Sequence, residues 1–270
     1  MMRSLWTAAS GMISQQMNVD NIANNLANVN TIGFKKERME FKTLLYETMK
    51  RADLDPVNQT GRPVNLQVGH GVRPIAVSRI FTMGNLQRTD IPQDFAIEGT
   101  GFFVVRRGPE DIKYTKDGSF KLAATEMGNM FVTSEGYPIL GEDDEPIYIP
   151  YDVEYSVDEN GAFSYVDSEG YFQELGFRFK LVQFPNPQGL EAVGSNLLGA
   201  TAASGRPLSE AEGETTRISR LIQGTVEMSN VQVAEEMVNL IVAQRAYDLN
   251  SKAITTSDDM LQTANNLKRG

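Results

Sequence analysis

The chain of 270 residues contains no cysteine. Disulfide staples, thiolate nucleophiles and cysteine-ligated metals are excluded with it, and a cysteine-free composition also suits an oxidising space outside the cytosol. It has one histidine, His70, and one tryptophan, Trp6. A lone imidazole between two glycines, with no nucleophile near it in sequence, makes a weak general base. No apolar run approaches the ~18 residues of a membrane-spanning helix, so no membrane insertion is expected. The first fifteen residues carry one basic side chain and no apolar block, unlike a cleaved signal peptide.

Positive charge is also scarce. The net charge is −10, and residues 110–180 hold sixteen acidic and five basic side chains, a local balance of −11. An acidic middle of this kind keeps a protein soluble and argues against a nucleic-acid partner, which needs a cationic footprint.

The remaining short motifs lack chemistry. Gly99-Thr100-Gly101 has neither the third glycine nor the following helix of a dinucleotide site, and reads as a tight turn. Glu142-Asp143-Asp144-Glu145 lacks the spacing of a calcium loop and reads as a solvated acidic turn. Asn58-Gln59-Thr60 fits a glycosylation acceptor only formally. No catalytic residue, metal ligand or cofactor is assigned, and no enzyme is expected.

What the chain does have is a seven-residue apolar repeat at each end. Leu5, Met12, Val19 and Leu26 form one ladder, with Ala8, Gln15, Ile22 and Val29 beside it. Val226, Val233, Leu240, Tyr247, Ile254 and Leu261 form another. A helix with such a stripe must bury it along a second helix. Two helices packed within one monomer and helices packed between copies both satisfy the pattern.

The first helix is expected from about Ser4 to Asn30, stopped by Gly33. Its asparagines (Asn18, Asn21, Asn24, Asn25, Asn28, Asn30) are mediocre helix formers; they fit either a frayed polar helix end or amides that hydrogen-bond across a seam and fix its register. Phe41, Leu44 and Leu45 fit one or two further helical turns, and Asp53 to Pro74 is extended or loop. From Arg73 short strands follow. Asp117-Gly118 signals a hairpin between Tyr114 and Phe120, and Asp158 to Gly161 signals a turn. Phe177, Phe179 and Leu181 share one face of a strand. The last helix is expected to begin near Gly224 and run about forty residues.

The fold class expected is α+β: N- and C-terminal helices forming a coiled-coil-like inner domain, an extended arm, and a β-rich central outer domain. The divisions are residues 1–33 (helix), 34–93 (connecting arm), 94–205 (β-rich domain), 206–223 (return linker) and 224–270 (helix).

Arg3–Met12, Asn21–Lys35, Met228–Val231, Glu235–Val238 and Gln244–Tyr247 with Ser251–Ile254 strongly resemble the terminal signatures of bacterial flagellar rod and hook proteins. Asp94–Phe103 and Tyr114–Phe120 match the start of that family's β domain. The arm from Leu45 to Pro74 is similar to a stretch typical of distal rod members. The resemblance implies a structural subunit of the distal rod, a drive shaft carrying torque from motor to hook. It implies export through the flagellar export apparatus without a cleaved signal, and a place in the basal body, spanning the periplasm. The implied partners are copies of the chain, adjacent proximal rod and hook subunits, and surrounding bushing rings.

Its polymerisation interface falls on Leu5, Met12, Val19, Ile22 and Leu26, with Asn24, Asn25 and Asn28, and on Val233, Leu240, Tyr247, Ile254 and Leu261. Pro56, Pro63, Leu66 and Val68 fall in the rod-stiffening arm. A proximal rod or hook subunit is the nearest alternative. A cell-wall-acting enzyme is the alternative of a different class, and it lacks a recognisable carboxylate pair.

Overall fold

The computed structural model describes residues 2–50, 53–54, 61–62, 64–109, 111–151, 155–166, 172–211, 213 and 218–269. Terminal helices flank a β-rich centre, the α+β arrangement expected. The chain divides into two compact units, one of residues 1–27, 37–78 and 232–270, the other Asn28–Lys36 with Arg79–Val231.

In the first unit, helix α1 (Met2–Ala27) packs along helix α2 (Val233–Arg269). Asn25 reaches Glu236, and Gly11 lies against Asn250. Both contacts step fourteen residues along each helix in opposite directions, so the pair is antiparallel and in heptad register. The heptad ladders therefore meet within one chain. At about 1.5 Å per residue, α1 spans roughly 39 Å and α2 roughly 55 Å.

Both helix boundaries differ from expectation. α1 ends at Ala27, where Asn28 turns the chain by accepting the N–H of Thr31 at its carbonyl and the Thr31 hydroxyl at Oδ1. Gly33 does have φ +70°, but a Cβ there would stand 2.6 Å from the Asp117 nitrogen. Close backbone approach, not helix termination, requires that glycine. α2 starts at Val233 rather than near Gly224, because Thr225–Glu227 is spent as a strand against Leu86–Arg88. Val226 is thus buried in a strand and is not a rung of the ladder.

Phe41, Leu44 and Leu45 are not helical. Strand Glu37–Thr43 pairs with Val72–Arg79, and Tyr46–Lys50 pairs antiparallel with Leu66–Gly69. The apolar run was too short to distinguish a helical from a period-two pattern, and its β-branched partner strand decided it.

The second unit is built on a six-stranded sheet in the order Glu191–Gly194, Leu197–Gly199, Ile112–Thr115, Phe102–Arg106, Leu181–Gln183, Leu208–Ser209. Strand Phe102–Arg106 is buried on both faces. Phe103 joins a core with Phe95, Phe120, Phe131, Phe163 and Phe179, while Phe102 and Val104 join a second with Tyr114, Phe184 and Leu198. Period-two alternation sends successive side chains of one strand into two cores. Phe95 and Phe179 meet edge-on at 5.0 Å between ring centroids, and Phe103 and Phe120 at 4.9 Å, the geometry aromatic quadrupoles favour.

Asp117-Gly118 is not a hairpin. Ile112–Thr115 pairs with Phe102–Arg106, while Lys121–Thr125 pairs with Gly128–Val132, so the turn carries the chain from one sheet to another. A Cβ on Gly118 would lie 1.7 Å from the Phe95 carbonyl oxygen. The turn at Gly161 (φ +79°) does join two antiparallel strands, Tyr155–Val157 and Ala162–Val166. Phe179 and Leu181 are buried, but Phe177 is exposed: the first strand shifts register between Glu174 and Arg178 and ends there, and a second begins at Leu181. The residues read as a return linker include strands Leu208–Ser209 and Arg220–Gln223, the latter paired with Phe95–Glu98.

Candidate assembly surfaces

The helix pair is narrow at its seam. Ala8 and Ile22 of α1 and Glu236 and Ala243 of α2 are buried, and Gly11 admits the Asn250 amide at the distance a Cβ would need. Small and polar residues let the backbones approach. Leu5, Met12, Val19 and Leu26 are half-buried, as are Leu240, Tyr247 and Ile254. Val233 and Leu261 remain exposed. Val19 and Tyr247 border one cleft. Asn24 is exposed, and Asn28 lies in the turn beyond α1.

Asn25 bonds across the seam. Its amide donates to the Glu37 carbonyl at 2.7 Å and to Glu236 Oε2 at 3.2 Å, and its Oδ1 accepts the Glu37 N–H at 2.8 Å. One side chain ties α1, α2 and the first arm strand. Nearer the N-terminus, the Ser14 hydroxyl, also buried, sits 3.4 Å from the Val72 carbonyl.

Periodicity did not single out the apolar surface left over. On α1, Trp6 (75% exposed), Ile13 and Met17 form a stripe away from the seam. On α2, Met237, Val238, Ile241, Val242 and Leu249 are all exposed. A helix apolar on two faces is built to be covered on both. The signal was present: Trp6 and Ile13 are themselves seven apart.

In the arm, Leu66 is exposed and Val68 half-buried, both in the strand paired with Tyr46–Lys50. Pro56 and Pro63 lie outside the described residues. His70 sits 3.7 Å from Glu47, which also pairs with Arg3 at 2.8 Å.

The β-rich unit contains a buried polar clasp. Lys35 Nζ stands 2.5 Å from Glu227 Oε1 and donates to the Thr82 carbonyl at 2.9 Å, while Gly84 N–H donates to the same carboxylate oxygen at 2.8 Å. The Asn230 amide reaches the carbonyls of Ile80 and Thr82, and its Oδ1 accepts the Lys36 N–H at 2.7 Å. Gly99 and Gly101 are closed in by Ser219. A Cβ on Gly101 would stand 2.6 Å from Glu210, whose carboxylate takes the Ser219 N–H and hydroxyl. Lys116 donates to the Gly99 carbonyl at 2.8 Å and lies over the Phe102 ring. Burial pushes its ammonium down to about 8, opposed by Glu227 and reinforced by Lys35. In the acidic turn, Lys180 pairs with Asp144 at 2.6 Å and Arg106 donates to the Asp144 carbonyl.

Residues 5–35 match the family described as "Flagella basal body rod protein", residues 96–165 the "Flagellar hook protein FlgE/F/G D1 domain", and residues 222–267 the "Flagellar basal body rod FlgEFG protein C-terminal". A protein of Borreliella burgdorferi named "Flagellar basal-body rod protein FlgG" is 49% identical over the full length of both chains. The chain belongs to the flagellar basal-body rod protein family.

Proteins of the same name from Caulobacter vibrioides and Bacillus subtilis are 40% and 37% identical, over 99% and 100% of this chain and 100% of their own length. In the rod family frame, the first and last matched stretches fall mainly on the helix pair, and the middle one on the β-rich unit. No helix among the described residues is long and apolar enough to cross a membrane.

Proposed function

We propose that this chain is a structural subunit of the distal flagellar rod, polymerising through its terminal helices into a straight hollow tube that transmits torque from motor to hook. The observation that carries this is the second apolar face on both helices of the pair, added to full-length membership of the rod family. Torque passes through packing, so no catalytic step is part of the function.

In this reading the ladder residues Leu5, Met12, Val19, Ile22, Leu26, Leu240, Tyr247 and Ile254 close the antiparallel pair, and that closed pair is the polymerising unit. Asn24, Asn28, Val233 and Leu261 extend it to contacts with other copies. Leu66 and Val68 belong to an arm that stiffens the shaft. The subunit leaves the cytosol through the flagellar export apparatus without a cleaved signal, spans the periplasm as part of the rod, and meets proximal rod and hook subunits and the surrounding rings.

Two charge insertions separate the faces. Val242→Asp on the outer face is expected to leave the circular dichroism of the isolated chain unchanged and to abolish rods and motility. Leu240→Asp is expected to lose rods and also helical signal, because it opens the pair itself. Motile cells with normal rods carrying Val242→Asp would overturn the proposal.

A further inference from the structure

We propose that Trp6 of one copy inserts into the cleft between α1 and α2 of a second copy, where Gln16, Val19, Gln244, Tyr247 and Asp248 form the socket. This rests on the rod-subunit reading above and names one contact within it.

The socket is an open cleft of about 510 Å³, apolar where Val19 and the Tyr247 ring border it and polar at Gln16, Gln244 and Asp248. That lining suits an indole: a flat apolar body with one N–H, which when buried needs an acceptor such as the Asp248 carboxylate. The chain has one tryptophan, and its side chain is 75% exposed on a helix, the least economical place for so large an apolar group in an isolated subunit.

Trp6 cannot fill the socket of its own chain. Gln16 and Val19 are ten and thirteen residues further along α1, roughly 15 to 20 Å at about 1.5 Å per residue. Val19 is also turned roughly 140° around the helix from Trp6, at 3.6 residues per turn. Knob and socket therefore sit on different faces and at different heights of one helix pair. A surface with complementary features in two different places makes head-to-tail contacts, which continue into an open polymer instead of closing into a dimer. Ile13 and Met17, on the same stripe as Trp6, extend the contact along α1.

The absence of cysteine makes a clean test. The double variant Trp6→Cys with Gln244→Cys, expressed in cells in place of the parent chain, is treated in purified basal bodies with a bis-maleimide about as long as a tryptophan side chain and probed by denaturing electrophoresis. A ladder of linked copies is expected, with neither single variant giving one. Assembled rods without a ladder would overturn the proposal.

Should the double variant fail to assemble, Gln244→p-benzoylphenylalanine leaves Trp6 in place, and its photo-adduct is mapped by mass spectrometry. An adduct on the peptide containing Trp6 of another copy is expected, and one elsewhere would overturn the contact. Absence of the unaltered chain from purified rods is a separate outcome, which would sink the rod-subunit reading and the contact with it.

Discussion

Asn25 and Glu236 are 211 residues apart in sequence and hydrogen-bonded at 3.2 Å across the helix seam. The same asparagine satisfies both backbone groups of Glu37. Asn25→Ala removes all three bonds at once, two of them to the backbone of Glu37. The cost is expected to be about 2–3 kcal/mol, read as a lower midpoint of helix loss on thermal unfolding. Gln16→Ala, at an exposed position of the same helix, is expected to shift that midpoint little. Equal effects from the two would contradict the cross-seam role of Asn25.

The buried clasp predicts a different pattern. Glu227→Gln leaves the Lys35 ammonium buried beside a neutral amide, and removing one partner of such a pair costs about 3–5 kcal/mol. Replacing both, Lys35→Met with Glu227→Leu, is expected to recover much of the loss because no uncompensated charge remains. Urea unfolding of the three chains, followed by circular dichroism, checks the order.

Lys116 predicts a pH dependence. Its ammonium is held at about 8 when folded, against 10.5 when unfolded, mainly by burial. Between those values the unfolded chain binds more protons, so this group's contribution to stability rises with pH from about 8 to 10.5 and is flat below. Tyr155 and Tyr114 are pushed the other way, chiefly by burial. Their contribution is fully present below the unfolded value of 10.0 and falls as pH climbs past it. The parent chain is therefore expected to gain stability between pH 8 and 10, and Lys116→Met to lose that gain. Parallel melting curves for the two across this window would refute it.

Two glycines discriminate close approach from backbone strain. Gly118→Ala drives a methyl into the Phe95 carbonyl, at an expected cost of about 3 kcal/mol or more. Gly136 has φ +90° and open space around it, so Gly136→Ala costs only the conformational penalty, roughly 1–2 kcal/mol. Equal losses in urea titrations would contradict the structural reason given for Gly118.

These cases show what was legible. Heptad spacing is a local signal, so both helices and their need for a partner were readable, and the asparagine-rich end of α1 pointed to Asn25. Gly33 and Asp117-Gly118 carry ordinary turn chemistry and were read as such. What demands those glycines is a backbone brought close from distant sequence, and no local pattern encodes that. Val226 keeps the heptad phase by coincidence, since one apolar position in so short a run distinguishes neither a strand nor a helix. Phe41-Leu44-Leu45 was ambiguous for the same reason. The outer stripe through Trp6 and Ile13 was visible as spacing but outweighed by the longer ladder beside it.

Lys35 and Glu227 are separated by 192 residues. A chain that emerges amino-terminus first delivers the lysine early and the glutamate only when most of its length has passed. Until then the ammonium lacks its counterion, and Lys36 lacks the Asn230 carbonyl that receives its N–H. Strand Leu86–Arg88 likewise waits for Thr225–Glu227. Completion of the β-rich unit therefore waits on the arrival of its last segment.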